Sequence, residues 1–549
     1  MVDTRQPREL TSDTAGGESF FEECRRVWRD PHLPYRRSLV TLGVITVIVG
    51  VVLRFYCPSA LWLDETISVN ISKLPLYQIP SALSHDGAPP LYYVLLHFWM
   101  LAFGRGDFAV RALSGVISVA TLPFFWYAGR RVGGRLAGWV VFFLALTSPF
   151  AIQYAATTRM YSLMILLSVL GFLALERALE APTRRHLIEL GVVTALILYT
   201  HYWGVYLVVS AGAWLLYRMY REHRAGVPDL LAVRAAFRSM LIGSLFFLPW
   251  SPIFVFQTLH TGTPWTGAAG PADLIGVFND FSGTGPWGRL LGDLYLVFLV
   301  LGLFGRPGVL RAGERSPATD GGPTPLVTLV TRPNRRLAGL TGVLLGTLLL
   351  AVVAGAIANA AFIDRYTAVA LPLFLIVVGV GITVLTRGRI VLAVMLIVSL
   401  AGVLTGYASN HSQRTQAVQV AQILNAEAQP GDLVVYCPDQ LGPAVDRLLT
   451  VPGVTELTFP RAIGPSRVDW VNYRQVINET NVATFAQQML GRLGAGHGLW
   501  VVEKDGYPGL GGNCGALVSW FNLLRPTGDV MVHQSSFYYE NENLIRYPS

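Results

Sequence analysis

The chain has 549 residues, of which 52% are hydrophobic and only 14% charged, at a mean hydropathy of +0.46. That excludes an ordinary soluble globular protein and makes lipid the solvent for much of the molecule. The net charge of +8 does not indicate nucleic-acid binding, because the basic residues sit in short loops between apolar runs instead of gathering on one soluble face.

The first residues are polar and slightly acidic up to Glu23, then basic through Arg25, Arg26, Arg29, Arg36 and Arg37. No small-residue cleavage site follows the first apolar run, so we read that run as an uncleaved span and residues 1–37 as a cytoplasmic N-terminal segment. Apolar runs of membrane length occur near 38–56, 109–129, 136–152, 161–178, 187–202, 203–219, 238–256, 289–305, 337–359, 366–386 and 389–407, which predicts about 11 transmembrane helices. The segment 91–104 (LYYVLLHFWMLAFG) is short of that length. As a helix it would reach only ~21 Å at ~1.5 Å per residue, against a hydrocarbon core of ~30 Å. Pro89 and Pro90 would start it well.

Charge parity places this segment. If it lies along the interface, the loops holding Arg130, Arg131 and Arg135, then Arg177, Arg184 and Arg185, then Arg218 to Arg238, Arg306 to Arg336, and Arg387 with Arg389 all share the side of the basic N-terminus. The positive-inside rule makes that side the cytoplasm. Residues 38–407 are then the transmembrane domain. The 57–108 loop with its juxtamembrane helices, the turns at 153–160 and around His201, the 257–288 loop, the turn at 360–365 and everything after 407 are expected outside.

The last part of the chain changes character, with short apolar runs alternating with polar helical stretches. QVAQILNAEA and AVDRLLTV read as helices, GDLVVYCP and GHGLWVVEK as strands. Residues 408–549 are therefore expected to form a small exoplasmic α/β domain. Cys437 and Cys514 both fall there and could bridge in an oxidising compartment, or remain two separate buried thiols; Cys24 would be cytoplasmic and Cys57 at the outer surface. No metal-spaced Cys/His set and no Gly-rich phosphate loop is present, and no cofactor is expected.

This topology gathers the unusual polar residues on the outer face. The first loop supplies Asp64 and Glu65 in LWLDETISVN, then His85 and Asp86. QYAATTRMYS supplies Arg159 and Tyr161, YTHYWG supplies His201 and Tyr202, the long loop Trp265, and IDRYTA Arg365 and Tyr366. Charged groups at membrane depth are costly and face cavities or partners, so the set is a candidate site. Each member alone has a plainer reading. Asp64 can cap a helix, Arg159 and Arg365 can snorkel to headgroups, His201 and Tyr202 can belong to an aromatic belt, and His85 can be a solvated loop residue.

Sugar transfer from a lipid phosphate suits acids and arginines without a cofactor. A carboxylate can take the proton of an acceptor hydroxyl, and Arg forks suit the charge that develops on a departing phosphate. A donor with its tail in the bilayer explains a catalyst built from membrane helices.

At these residues the sequence resembles the C-type membrane glycosyltransferases, in the branch of the protein O-mannosyltransferases and lipid A aminoarabinose transferases. The resemblance rests on LDE, HDGAPPLYYVLLHFW, ATTRMYSL, LYTHYWG and DRYTAVALP, in order over roughly residues 38–410. It implies that fold, a juxtamembrane helix at 91–104, and an inverting, metal-independent transfer from a polyprenyl-phosphate sugar on the exoplasmic face. It implies Asp64 as the catalytic base, Asp86 as a second acid that positions sugar or acceptor, and Arg159 and Arg365 on the lipid phosphate. The aminoarabinose branch carries a Lys beside its second acid, whereas Gly87 follows Asp86 here, which leaves the phosphate to Arg159, Arg365 and Arg111. Glu65 we assign to holding the loop or an Arg, and His85, Tyr161, His201, Tyr202, Tyr366 and Trp265 to lining the substrate.

Donor and acceptor are expected to enter a cavity roofed by the 57–108 and 257–288 loops from opposite sides. Only Lys73 and Lys504 are lysine among 42 basic residues, a composition of GC-rich, actinobacterial type that points to decaprenyl-phosphate mannose or arabinose as donor. A glycan, lipid or protein hydroxyl in the cell envelope would be the acceptor. Rival readings are a lipid-linked sugar flippase, a non-catalytic scaffold for the C-terminal domain, and a divalent cation held by Asp64, Glu65, His85 and Asp86.

Overall fold

A computed structural model describes residues 36–226, 230–262, 269–305, 326–327, 329–330, 333–357, 362–507, 509–525 and 528–549. Cys24, Trp265 and most of the 306–334 connection lie outside the described residues. The chain divides into two compact units at Val49 and Gly50. Of the first, the described part is the start of helix α1 (Arg36–Leu53).

The second unit is a helical membrane protein carrying a small C-terminal sheet. Its helices run α2 (Leu63–Ser72), α3 (Ile79–Ser84), α4 (Leu91–Phe103), α5 (Asp107–Thr147), α6 (Pro149–Ala155), α7 (Tyr161–Glu180), α8 (Arg184–Thr200), α9 (Trp203–Arg224), α10 (Leu231–Leu245), α11 (Ser251–His260), α12 (Pro271–Ser282), α13 (Gly285–Phe304), α14 (Arg335–Ile357), α15 (Leu371–Ile382) and α16 (Gly388–His411). Among the described residues, six helices are long and apolar enough to cross a membrane: 107–147, 161–180, 231–260, 285–304, 335–357 and 388–411. The predicted apolar runs overlap helices, but 358–359 lie outside the described residues, the 238–256 run is split between α10 and α11, and the 366–386 run is α-helical only over the 12-residue α15.

α5 covers two of the predicted runs, and Gly134, at φ +81°, breaks it between them. The two arms then cross closely. A Cβ on Gly129 would stand 2.6 Å from the Ala137 carbonyl, and one on Gly138 2.9 Å from that of Trp126, so only glycine fits. α4 is a 13-residue helix, about 20 Å long at ~1.5 Å per residue, and leaves Phe98, Leu101 and Phe103 exposed. The helix expected at 91–104 is thus present and short.

The 257–288 stretch differs from the loop expectation, because it contains α12. Pro271 begins that helix, the Gly270 N–H donates to Asp273 at 2.8 Å, and Val277 and Phe281 bury its inner face.

The C-terminal part holds α17 (Ala417–Glu427), β1 (Leu433–Cys437), α18 (Gly442–Asp446), β2 (Thr455–Thr458), α19 (Tyr473–Glu479), α20 (Val482–Arg492), β3 (Leu499–Glu503), α21 (Asn513–Leu524), β4 (Asp529–Val532) and β5 (Asn543–Tyr547). The strand order is β2-β1-β3-β5-β4, with β1 parallel to β2 and β3, and β5 antiparallel to both β3 and β4. Tyr436, Leu424, Leu441, Val445, Trp500 and Leu544 anchor its core. The helix read at AVDRLLTV stops at Asp446. Pro452 disfavours helix at the residue before it, and Asn425 takes the Thr450 N–H at 2.7 Å. Cys437 and Cys514 are disulfide-bonded, with Cα atoms 5.5 Å apart.

Candidate active site

Asp64 and Glu65 open helix α2, where unpaired N–H groups and the helix dipole favour negative charge. Successive helical residues point about 100° apart, and the two carboxylates diverge accordingly.

Glu65 turns into the protein and is fully buried. Arg111, from the second turn of α5, grips it with Nε at 2.9 Å and Nη2 at 2.6 Å; the Thr158 N–H adds a bond at 2.9 Å and Arg414 an ion pair at 3.6 Å. Burial alone would raise this carboxyl, but Arg111, Arg414 and Thr158 hold it below the ordinary carboxylate value. Arg111 also donates to the Ser59 and Ala60 carbonyls at 2.7 and 3.0 Å. Its fork is thus committed to holding the first loop against α5, and both Glu65 oxygens are engaged.

Asp64 faces the other way. Its Oδ2 lies 3.3 Å from Arg365 Nη2 as an ion pair without a hydrogen bond. Arg365 lies over the Trp62 and Tyr366 rings at 5.7 and 5.9 Å. Arg159 comes from the turn between α6 and α7 and donates through Nη1 to Ser68 Oγ at 3.2 Å, Tyr93 Oη at 3.3 Å and the Asp64 carbonyl at 3.5 Å. Tyr93 passes its own hydroxyl to Asp86 Oδ2 at 2.9 Å. Burial pushes the Asp86 carboxyl up, opposed by Arg159 and the Tyr93 bond.

A buried pattern remains at this centre. Asp64 Oδ2, Arg159 Nε, Arg365 Nε, Tyr161 Oη and Thr158 Oγ1 are shielded from solvent and have no hydrogen-bond partner. Such atoms are costly unless a ligand meets them. One anionic acceptor and one hydroxyl donor would satisfy the arginines and the carboxylate together.

Other predicted residues divide between lining and support. The His201 ring lies 4.7 Å from Tyr366 and 6.0 Å from Tyr161, so these three form an aromatic wall. Tyr202 is instead a strut: its hydroxyl donates to Gln257 and accepts from Trp250 Nε1 at 3.0 Å, while Gln257 bonds the Leu83 carbonyl at 2.6 Å. His85 pairs with Asp469 at 2.9 Å. Asp64, Glu65, His85 and Asp86 therefore do not converge as one ligand set, and among the described residues no group of three or more His, Cys, Asp or Glu could hold a metal ion.

Sequence reasoning missed the C-terminal contribution. The Trp62 N-cap of α2 has no capping side chain, and the Leu63 N–H is taken by Glu540 Oε2 at 3.1 Å. Tyr539 meets Trp62 edge-on at 5.4 Å. Arg414, which pairs with Glu65, also donates to the Ala156 carbonyl and Thr157 Oγ1. Nothing local marks Arg414 or Glu540, since both act across hundreds of residues. Tyr93 was legible in part, because it stands seven residues after Asp86 in the same motif.

The family model described as dolichyl-phosphate-mannose-protein mannosyltransferase matches residues 87–250. No curated protein matches the sequence. Among solved structures, ArnT from Cupriavidus metallidurans bound to undecaprenyl phosphate has a TM-score of 0.55 at 11% identity, covering 93% of this chain and 98% of that one. The same protein in the apo state gives 0.56 at 11% identity, over the same shares. Arabinofuranosyltransferase AftD from Mycobacteria gives 0.50 at 12% identity, over 92% of this chain and 40% of that one. At these identities the likeness is one of fold.

Proposed function

Proceeding from a chain with the fold of ArnT and from the site just described, we propose that the protein is a glycosyltransferase. It moves a sugar, mannose or arabinofuranose, from a polyprenyl-phosphate donor to a hydroxyl of a cell-envelope glycan, lipid or protein. The observation that carries this reading is the Asp64 carboxylate set against two guanidiniums, Arg159 and Arg365, each with a buried, unpartnered Nε.

In this mechanism the donor phosphate takes Arg365 and Arg159, and the ion pair at Asp64, which lacks a hydrogen bond, exchanges for phosphate contacts. That frees Asp64 to accept the acceptor hydroxyl proton. The acceptor oxygen attacks the anomeric carbon, the bond to the phosphate oxygen breaks on the opposite face, and configuration inverts. The electron pair leaves with the phosphate, where the arginines meet it. Asp86, held by Tyr93, orients substrate hydroxyls, while Glu65 and Arg111 keep α2 in place. No cofactor takes part. The site faces the exoplasm, with the N-terminus in the cytoplasm and the sheet domain outside.

The test incubates purified protein with radiolabelled polyprenyl-phosphate mannose or arabinofuranose and membrane extracts. Wild type should transfer label with or without chelator, and Asp64→Asn should lose about 10²- to 10⁴-fold. Equal transfer by the two proteins removes Asp64 as the base, and absence of transfer by wild type removes the enzyme.

A further inference from the structure

We propose that the cavity between the first loop and residues 463–469 of the sheet domain binds the acceptor, and that this acceptor is a carbohydrate chain end. The proposal rests on the glycosyltransferase reading and names the substrate class of that site.

The cavity holds about 530 Å³, within the range of small-ligand pockets. One wall is α2 and α3; the other is the segment after β2. Three hydrogen bonds clip the walls together at the edges. Asn70 Nδ2 donates to the Ser466 carbonyl at 2.7 Å, the Trp470 N–H to the His85 carbonyl at 3.0 Å, and His85 shares a proton with Asp469 at 2.9 Å. The second wall leaves the carboxyl end of a parallel strand, the edge at which α/β sheets bind ligands.

Its lining has two chemistries. Gln78, Ser81, Ser466 and Arg467 supply hydrogen bonds, while Ile67, Ile71 and Val468 supply an apolar surface. A sugar presents both, with hydroxyls at its edge and C–H groups on its face. An acyl chain would strand the polar groups unpaired, and a peptide would need a row of free backbone partners that the α2 and α3 wall does not offer.

The cavity is linked to the reaction centre through the side chain of Asp86. Asp86 lines the cavity and is joined through Tyr93 to Arg159, which bonds the Asp64 carbonyl. A chain end seated against Asp86 would extend its terminal hydroxyl toward Asp64.

The test uses the full-length protein in detergent, with α-linked mannose and arabinofuranose di- and tetrasaccharides as probes. Saturation-transfer NMR should detect contact with wild type and with Asp64→Asn, and should lose it with Ser81→Trp, which fills the cavity from an exposed position. Arg467→Ala, also exposed, should raise the acceptor KM about tenfold or more with the donor KM unchanged. The proposal is overturned if no oligosaccharide contacts wild type, or if Ser81→Trp binds and transfers as wild type does. Contact without any transfer by wild type would instead leave the pocket standing and remove the transferase reading.

Discussion

Asp64 and Glu65 are neighbours in sequence and opposites in environment. Glu65 is sealed in a two-pronged bond with Arg111, so replacing it leaves a buried guanidinium uncompensated. Glu65→Gln should therefore destabilise the protein by about 3–5 kcal/mol, visible as a lowered Tm in detergent. Asp64→Asn should leave the Tm nearly unchanged and remove transfer. The contrast separates a structural carboxylate from a chemical one. Arg365 tests the phosphate side. Arg365→Lys keeps the charge but loses the planar fork and the stacking on Trp62, and should cost about 10²-fold in kcat/KM for the donor, measured by initial rates.

At the scale of elements, α2 is a 10-residue helix too short to hold its own direction, since isolated helices of that length are marginal. Arg111 fastens it from α5, Arg159 and Thr158 from the turn before α7, and Glu540 at its N-terminus. The sheet that presents Glu540 is itself tied by the Cys437–Cys514 bridge, which joins the end of β1 to α21 across 77 residues. Cys514→Ser should lower the stability of the C-terminal part by about 2–4 kcal/mol, measured as loss of native-state hydrogen-exchange protection in β1 and β3.

At the scale of the whole molecule, the described residues pair charges at the site and also at the far end of α7, where Arg131 pairs with Glu180 and Arg336 with Glu176. The sheet domain meets the site with acids of its own. Burial pushes the Glu540 carboxyl to about 8, from an ordinary 4.5, the Leu63 N–H opposing the shift, and raises the Glu542 carboxyl as well. A carboxyl whose folded pKa is raised binds more protons in the folded than in the unfolded state between about 4.5 and 8. Its contribution to stability therefore falls as pH rises through that window. Glu540→Gln keeps an oxygen for the Leu63 N–H but cannot ionise. Its Tm advantage over wild type should grow from pH 5 to pH 8 in thermal melts; a constant difference would remove Glu540 as the source.

The sequence by itself determined the membrane class, the helical runs, the short helix at 91–104 and the two strands at 431–438 and 496–504, because apolar length and periodicity are local properties that lipid and a buried sheet enforce directly. It also brought Asp64, Arg159 and Arg365 to notice, because charges beside apolar runs are expensive wherever they occur. Tertiary structure decided the rest. Arg111 was expected to contact the donor phosphate, yet it is spent on Glu65; Tyr202 was expected at the substrate, yet it braces Gln257. A side chain's partner depends on which segments the fold brings within a few ångströms, and pairs such as Glu65 with Arg414 or Leu63 with Glu540 span several hundred residues with no local pattern to announce them.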